Sequence, residues 1–197
     1  MKQLTLILLL AILMSCSNGS RTPSPDQVDS VKAGIRNNES SEDTFMKFVT
    51  RLPKVNLPFE IYCEKCCDHP AFDRENELIV RYIPAGANPI GLIFKNKNNV
   101  GVLATYAGDM LIPVVIIFDL AGKKTDEKSF MKGWCGRDLE ILGLQYFRIN
   151  SDLTMNATDT TYSFALDKKS HEIVDTLKTE ILSTDFYVSA DGKIVQK

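Results

Sequence analysis

The chain has 197 residues, 44% of them hydrophobic and 24% charged, with a formal net charge of −2. Such fractions exclude a disordered, collagenous or coiled-coil chain and leave room for one domain with its own core, or one plus an appendage. Lys and Arg number 23 against 25 Asp and Glu, so there is no basic excess for a phosphate backbone and no nucleic-acid partner is expected.

Lys2 precedes an apolar run over residues 4–14 that only Thr5 interrupts. Eleven residues make about 16 Å of helix, short of a hydrocarbon core of roughly 30 Å. A positive start, a short apolar stretch and a small residue at the exit form the pattern of a secretory signal. The exit, Leu13-Met14-Ser15-Cys16, resembles the bacterial lipobox. That resemblance implies removal of residues 1–15 and acylation of Cys16, which would hold the chain to a lipid bilayer, since several acyl chains anchor stably. The competing reading is an ordinary signal peptide with Cys16 a plain thiol. By sorting analogy, Ser17 in place of Asp points to the outer membrane. The absence of an acidic run over residues 17–21 points to the periplasmic face rather than the cell surface. Residues 16–40 are rich in Ser, Asn, Pro and Asp and read as a flexible tether.

A single domain is expected over residues 41–197, opening with a helix at 41–52. Phe45, Phe48, Val49 and Leu52 form one helical stripe, suited to plug a sheet. Ser40 or Ser41 can cap it, Glu42 and Asp43 favour its positive end, and Pro53 stops it. Beyond Pro53 the pattern turns to short apolar or alternating runs. Strands are predicted at 55–63, 78–83, 90–95, 100–106, 111–119 and 127–132, then at 139–149, 153–158, 160–166, 173–182, 186–189 and 194–196. Residues 171–182 would also suit a helix, through Ile173, Val174, Leu177 and Ile181. Turns at Asn98-Asn99, Gly108-Asp109, Ala121-Gly122 and Asp191-Gly192 are short enough to force antiparallel neighbours. The predicted fold is mainly β: an antiparallel meander forming a curved sheet, a partial barrel or a propeller-like stack, with one short N-terminal helix. The nearly all-apolar run 112–118 reads as a strand covered on both faces.

With Cys16 assigned to the anchor, Cys63, Cys66, Cys67 and Cys135 remain. In an oxidising compartment four thiols read as two disulfides, with three connectivities to choose from. Adjacent Cys66 and Cys67 cannot pair without strain. The expectation is a local bridge from Cys63 to Cys66 or Cys67, with the remaining sulfur joined to Cys135. Zinc on Cys63, Cys66, Cys67, His69 and Cys135 is the competing reading, weakened because no second C-x-x-C unit answers the first. Trp134-Cys135-Gly136-Arg137-Asp138 superficially resembles a thioredoxin site, but Asp138 stands where its second Cys would be.

No G-x-S-x-G, H-E-x-x-H, P-loop, G-x-G-x-x-G or EF-hand pattern occurs, so no catalytic residue and no cofactor is assigned. His69 and His171 fall in predicted polar turns. Asp126 with Glu127, and Asp73 with Glu75 and Glu77, read as solvated turn carboxylates rather than a hydrolytic pair. Tyr106, Trp134, Tyr146 and Tyr162 are candidate ligand platforms, although such positions on strands more often serve cross-strand packing.

From the lipobox, through the helix ending at Leu52-Pro53, to the hairpin closing over residues 187–195, the chain resembles small Bacteroidota lipoproteins of unassigned activity. The resemblance implies O-glycosylation wherever Asp precedes Ser or Thr and then an apolar residue or Thr. Ser30, Thr160 and Thr176 meet that pattern. The functional expectation is a lipid-anchored envelope module that binds a protein or glycan partner. The alternative is a hydrolase or a zinc- or thiol-dependent envelope enzyme.

Overall fold

The computed structural model describes residues 40–63, 76–106, 110–131 and 134–197. The chain divides into two units, Met1–Asn37 and Asn38–Lys197, and all described residues belong to the second.

The first helix, α1 (Ser41–Arg51), forms for the reasons its sequence gives. The Ser40 side chain accepts from Asp43 N at 3.1 Å, Glu42 and Asp43 occupy the first turn, and Phe45, Phe48 and Val49 are buried. A second helix, α2 (Glu77–Tyr82), lies where a strand was predicted at 78–83. Asn76 caps it by accepting from Leu78 N at 3.0 Å. Its apolar side chains follow helical spacing: Tyr82 and Ile83 are buried, and Leu78 and Ile79 pack against the same cluster.

The described residues beyond the helices hold ten strands, in two antiparallel sheets. The first sheet is an uninterrupted meander of β2 (Ala87–Lys95), β3 (Asn99–Tyr106), β4 (Ile112–Asp119) and β5 (Lys124–Ser129). The second runs β1 (Phe59–Tyr62), β7 (Ile141–Ile149), β8 (Met155–Leu166), β9 (Ile173–Val188), β10 (Ile194–Gln196). The short β6 (Gly136–Arg137) pairs with β7 at Leu142 and Gly143, whereas β1 pairs with it from Tyr146 to Ile149. Two strands distant in sequence therefore share one edge of β7, which departs from a pure meander. Neither sheet closes on itself.

Other boundaries shift too. The strand predicted at 127–132 begins at Lys124 and ends at Ser129. The pairs predicted at 153–158 with 160–166, and at 173–182 with 186–189, are each one continuous strand. Residues 173–182 are strand, not helix.

Alternation along β3 and β4 builds a three-layer stack. Val100, Val102, Ala104, Val114, Ile116 and Phe118 face α1 and α2 in one core. Their sequence neighbours Leu103, Val115 and Ile117 face Ile61, Phe147, Ile149, Met155 and Phe186 of the second sheet in another. Six consecutive residues of β4, Pro113–Phe118, are buried, as its unbroken apolar run requires. Phe45, Phe48, Tyr82 and Phe118 form an aromatic cluster with centroids 5.0–6.5 Å apart. Between the sheets Phe130 stacks on Phe147 at 4.5 Å. Each such ring contributes about 1.5–3 kcal/mol by leaving water.

The Asp191-Gly192 turn does more than close a hairpin. Thr125 Oγ1 donates to Gly192 O at 3.0 Å, Asn99 Nδ2 to Ala190 O at 3.2 Å, and Ile194 N to Asp126 Oδ2 at 2.7 Å. The turn thereby ties the end of the second sheet to β3 and β5 of the first.

Candidate interaction surface

In the second sheet β8 and β9 run on past the inter-sheet core. The core on these strands ends with Met155, Ala157 and Phe186, and none of residues 159–166 or 173–185 is buried. This extension, with the facing half of β7, is termed the wing. Register places Leu144 opposite Thr160 and Thr160 opposite Ile181 on one face. Leu144 is 41% exposed, Leu177 67%, Ile181 63% and Leu182 72%. An alternating strand that buried one face would show apolar residues on that face only. Here Ile181 and Leu182 are neighbours, so both faces carry exposed aliphatic side chains.

On the outer face the aliphatic row continues into a polar aromatic cluster. β1 and β7 bring Tyr62 beside Tyr146, with ring centroids 4.9 Å apart. Both phenols donate to the Glu60 carboxylate, Tyr146 at 2.8 Å and Tyr62 at 2.9 Å, and Arg148 pairs with it at 3.1 Å. The hydrogen bond from Tyr146, then that from Tyr62, then the Arg148 charge hold the Glu60 carboxyl below its ordinary range. Burial foremost, then its bond to Glu60, raises the Tyr146 phenol. For Tyr62 the bond to Glu60 leads. The result is one ionised carboxylate, two neutral phenols and a guanidinium whose buried Nε has no partner among the described residues. Further along, Tyr162 and Phe164 stack at 6.4 Å, and the Arg137 guanidinium sits 5.7 Å from the Phe164 ring.

The inner side of the wing is more polar. Gln145, almost wholly buried, donates to Asp159 Oδ1 at 2.5 Å, while its Oε1 has no partner among the described residues. A cleft of about 350 Å³ opens where β5 meets β8 and β9, lined by Lys128, Phe130, Met131, Asp159, Leu182 and Phe186 among others. Trp134, half-exposed, lies against Gly143, where a Cβ would stand 2.7 Å from its carbonyl oxygen and 3.1 Å from its ring.

The cysteines pair differently from the expectation. Cys63 bridges Cys135, Cα to Cα 5.3 Å, at a sequence separation of 72. This excludes the local bridge from Cys63 to Cys66 or Cys67. Geometry explains the choice: Cys63 continues β1 and Cys135 precedes β6, and both strands lie on the same edge of β7. The backbone N–H of Gln145 also donates to Cys63 Sγ at 2.8 Å. With both sulfurs in the bridge, Cys63 and Cys135 are not thiolate ligands for zinc. Among the described residues no three His, Cys, Asp or Glu side chains converge as metal ligands.

Cys16, Ser30, Cys66, Cys67, His69, Asp73 and Glu75 lie outside the described residues. Thr160 is a partly exposed residue of β8, and Thr176 an exposed residue of β9. His171 follows the 168–170 turn and is exposed. Asp126 and Glu127 lie in β5 rather than in a turn: Asp126 holds the β10 backbone, and Glu127 pairs with Lys124 and Tyr106. Their partners give them structural roles.

Comparison with protein-family models, with curated proteins and with solved structures finds no match to this chain. The surface is therefore interpreted from its own chemistry. Sequence reasoning picked out Tyr146, Trp134 and Tyr162 but missed Glu60, Tyr62 and Arg148, which meet only through the long-range pairing of β1 with β7. It also missed the exposure of Leu144 and Ile181. The legible signal was the crowding of Ile181 beside Leu182, which no single buried face could satisfy.

Proposed function

We propose that the protein is an envelope module, anchored through acylated Cys16 in the outer membrane and facing the periplasm, whose wing docks another protein. The observation that carries this reading is the outer face of the wing. There Leu144 and Ile181 stand exposed beside the Tyr62–Tyr146 pair and Arg148. Tyrosine and arginine set in an aliphatic patch are the composition of energetic centres in protein interfaces. Aliphatic side chains favour a protein over a glycan, because sugars stack on aromatic rings and leave leucine and isoleucine unmatched. The Glu60–Tyr62–Tyr146–Arg148 network fixes two rotamer-rich side chains in advance, which lowers the entropy cost of docking.

A photo-crosslinking amino acid at Leu144 in native cells tests this reading. The expected result is one discrete adduct of higher mass that disappears when Tyr62→Ala is added and is absent when the probe sits at Arg51. Adducts of equal yield from both positions, or a carbohydrate adduct at Leu144, would overturn it.

A further inference from the structure

The open edge of β9 carries a self-complementary code. β10 pairs with β9 only from Phe186 to Val188, and Lys197 N donates to Asp185 O at 2.9 Å. The Asp185 carbonyl therefore points away from β8. The register with β8 is unbroken from Lys178 to Phe186, and backbone groups alternate in direction along a strand. Ser183, Ile181 and Thr179 accordingly direct their N–H and C=O groups to the open side, where no described strand meets them. Such an edge is a template for another strand.

We infer that a second copy of this chain is the occupant, adding antiparallel across a two-fold axis at Thr179. In that register the outward groups of Thr179 meet those of Thr179 in the second copy, and Leu177 lies across from Ile181. Lys178 then stands opposite Glu180 of the second copy, and Glu180 opposite its Lys178. Neighbouring two-fold registers fail on charge. Centring on Lys178 sets two ammonium groups face to face, and centring on Glu180 sets two carboxylates face to face. Like charges directly opposite destabilise a strand pair, whereas opposite charges and apolar pairs stabilise it. Within one copy Lys178 and Glu180 already pair with each other on one side of the strand, so the exchange keeps both charges matched. Dimerisation would bury Leu177 and Ile181 at the seam and join the two second sheets into one. This inference goes beyond the docking of a foreign protein and rests on the backbone edge of β9; Ile181 borders both surfaces, whereas Leu144, Tyr62 and Tyr146 lie on β7 and β1, away from the seam.

The test uses the full chain in detergent, with free thiols alkylated, followed by sedimentation velocity from 1 to about 100 μM. Concentration-dependent dimerisation is expected for the native chain. Lys178→Glu and Glu180→Lys, each alone, should weaken it at least tenfold. Mixing the two single variants should restore a dimer, because each charge then meets its opposite. A monomer at every concentration overturns the inference, as does a dimer indifferent to both substitutions or one that mixing fails to restore. Loss of the Leu144 crosslink with the charge-swap behaviour intact would instead sink only the docking proposal.

Discussion

Asn99, Thr125 and Asp126 act on a turn far from them in sequence, and Gly192 is the residue that lets them do so. Its φ is +74°, and a Cβ there would stand 2.5 Å from Asn99 Oδ1 and 2.9 Å from Thr125 Oγ1. Both a left-handed backbone and a close polar approach thus require glycine. Gly192→Ala is expected to cost about 1–3 kcal/mol, read as a lower urea midpoint with an unchanged m-value. A neutral result would mean that the turn does not dock on the first sheet. Asp191-Gly192 was legible as a hairpin from its residues alone, since the local backbone demands them. Its docking was not, because the partners lie 67 and 91 positions away. The same holds for Glu60, whose three partners come from its own strand and from β7.

Elements differ in how much of their structure is local. α1 was legible because a cap, acidic first turn, apolar stripe and proline stop all agree along one segment. α2 was misread because Ile79, Val80 and Tyr82 have strand propensity and six residues offer barely two turns of periodicity. What decides it is the Asn76 cap and the spacing that sends both Leu78 and Tyr82 to one core. β4 was legible as a doubly covered strand from its apolar run. The continuity of β8 and of β9 was not, since Asp and Thr residues within them mimic turns. Between elements the Cys63–Cys135 bridge clips β1 and β6 to one edge of β7. Closing so long a loop is worth about 4 kcal/mol in the chain-entropy model. Replacing both cysteines with serine should lower unfolding stability by about that amount, measured by equilibrium denaturation without reductant. A loss under about 1 kcal/mol would mean that strand pairing alone sets this edge.

At the scale of the whole molecule, the three layers leave one region unbalanced. The first sheet is covered by helices on one side and by the second sheet on the other. Among the described residues the second sheet is covered where it faces the first, and the wing extends beyond that cover with aliphatic side chains on both faces. A fold class of antiparallel β was legible in the turns and alternation. The division into two stacked sheets was not, because it depends on β1 crossing to β7. An exposed apolar wing is unfavourable in a lone soluble domain, and covering it is what the proposed docking would achieve.

Hydroxyl-radical footprinting of side chains, on the chain in its native membranes against the purified chain, tests the role of the wing most directly. Oxidation of Tyr62, Leu144 and Tyr162 is expected to fall severalfold in membranes while that of Val80, exposed on α2, stays constant. Equal oxidation of the wing in both settings, or protection confined to the helices, would contradict it.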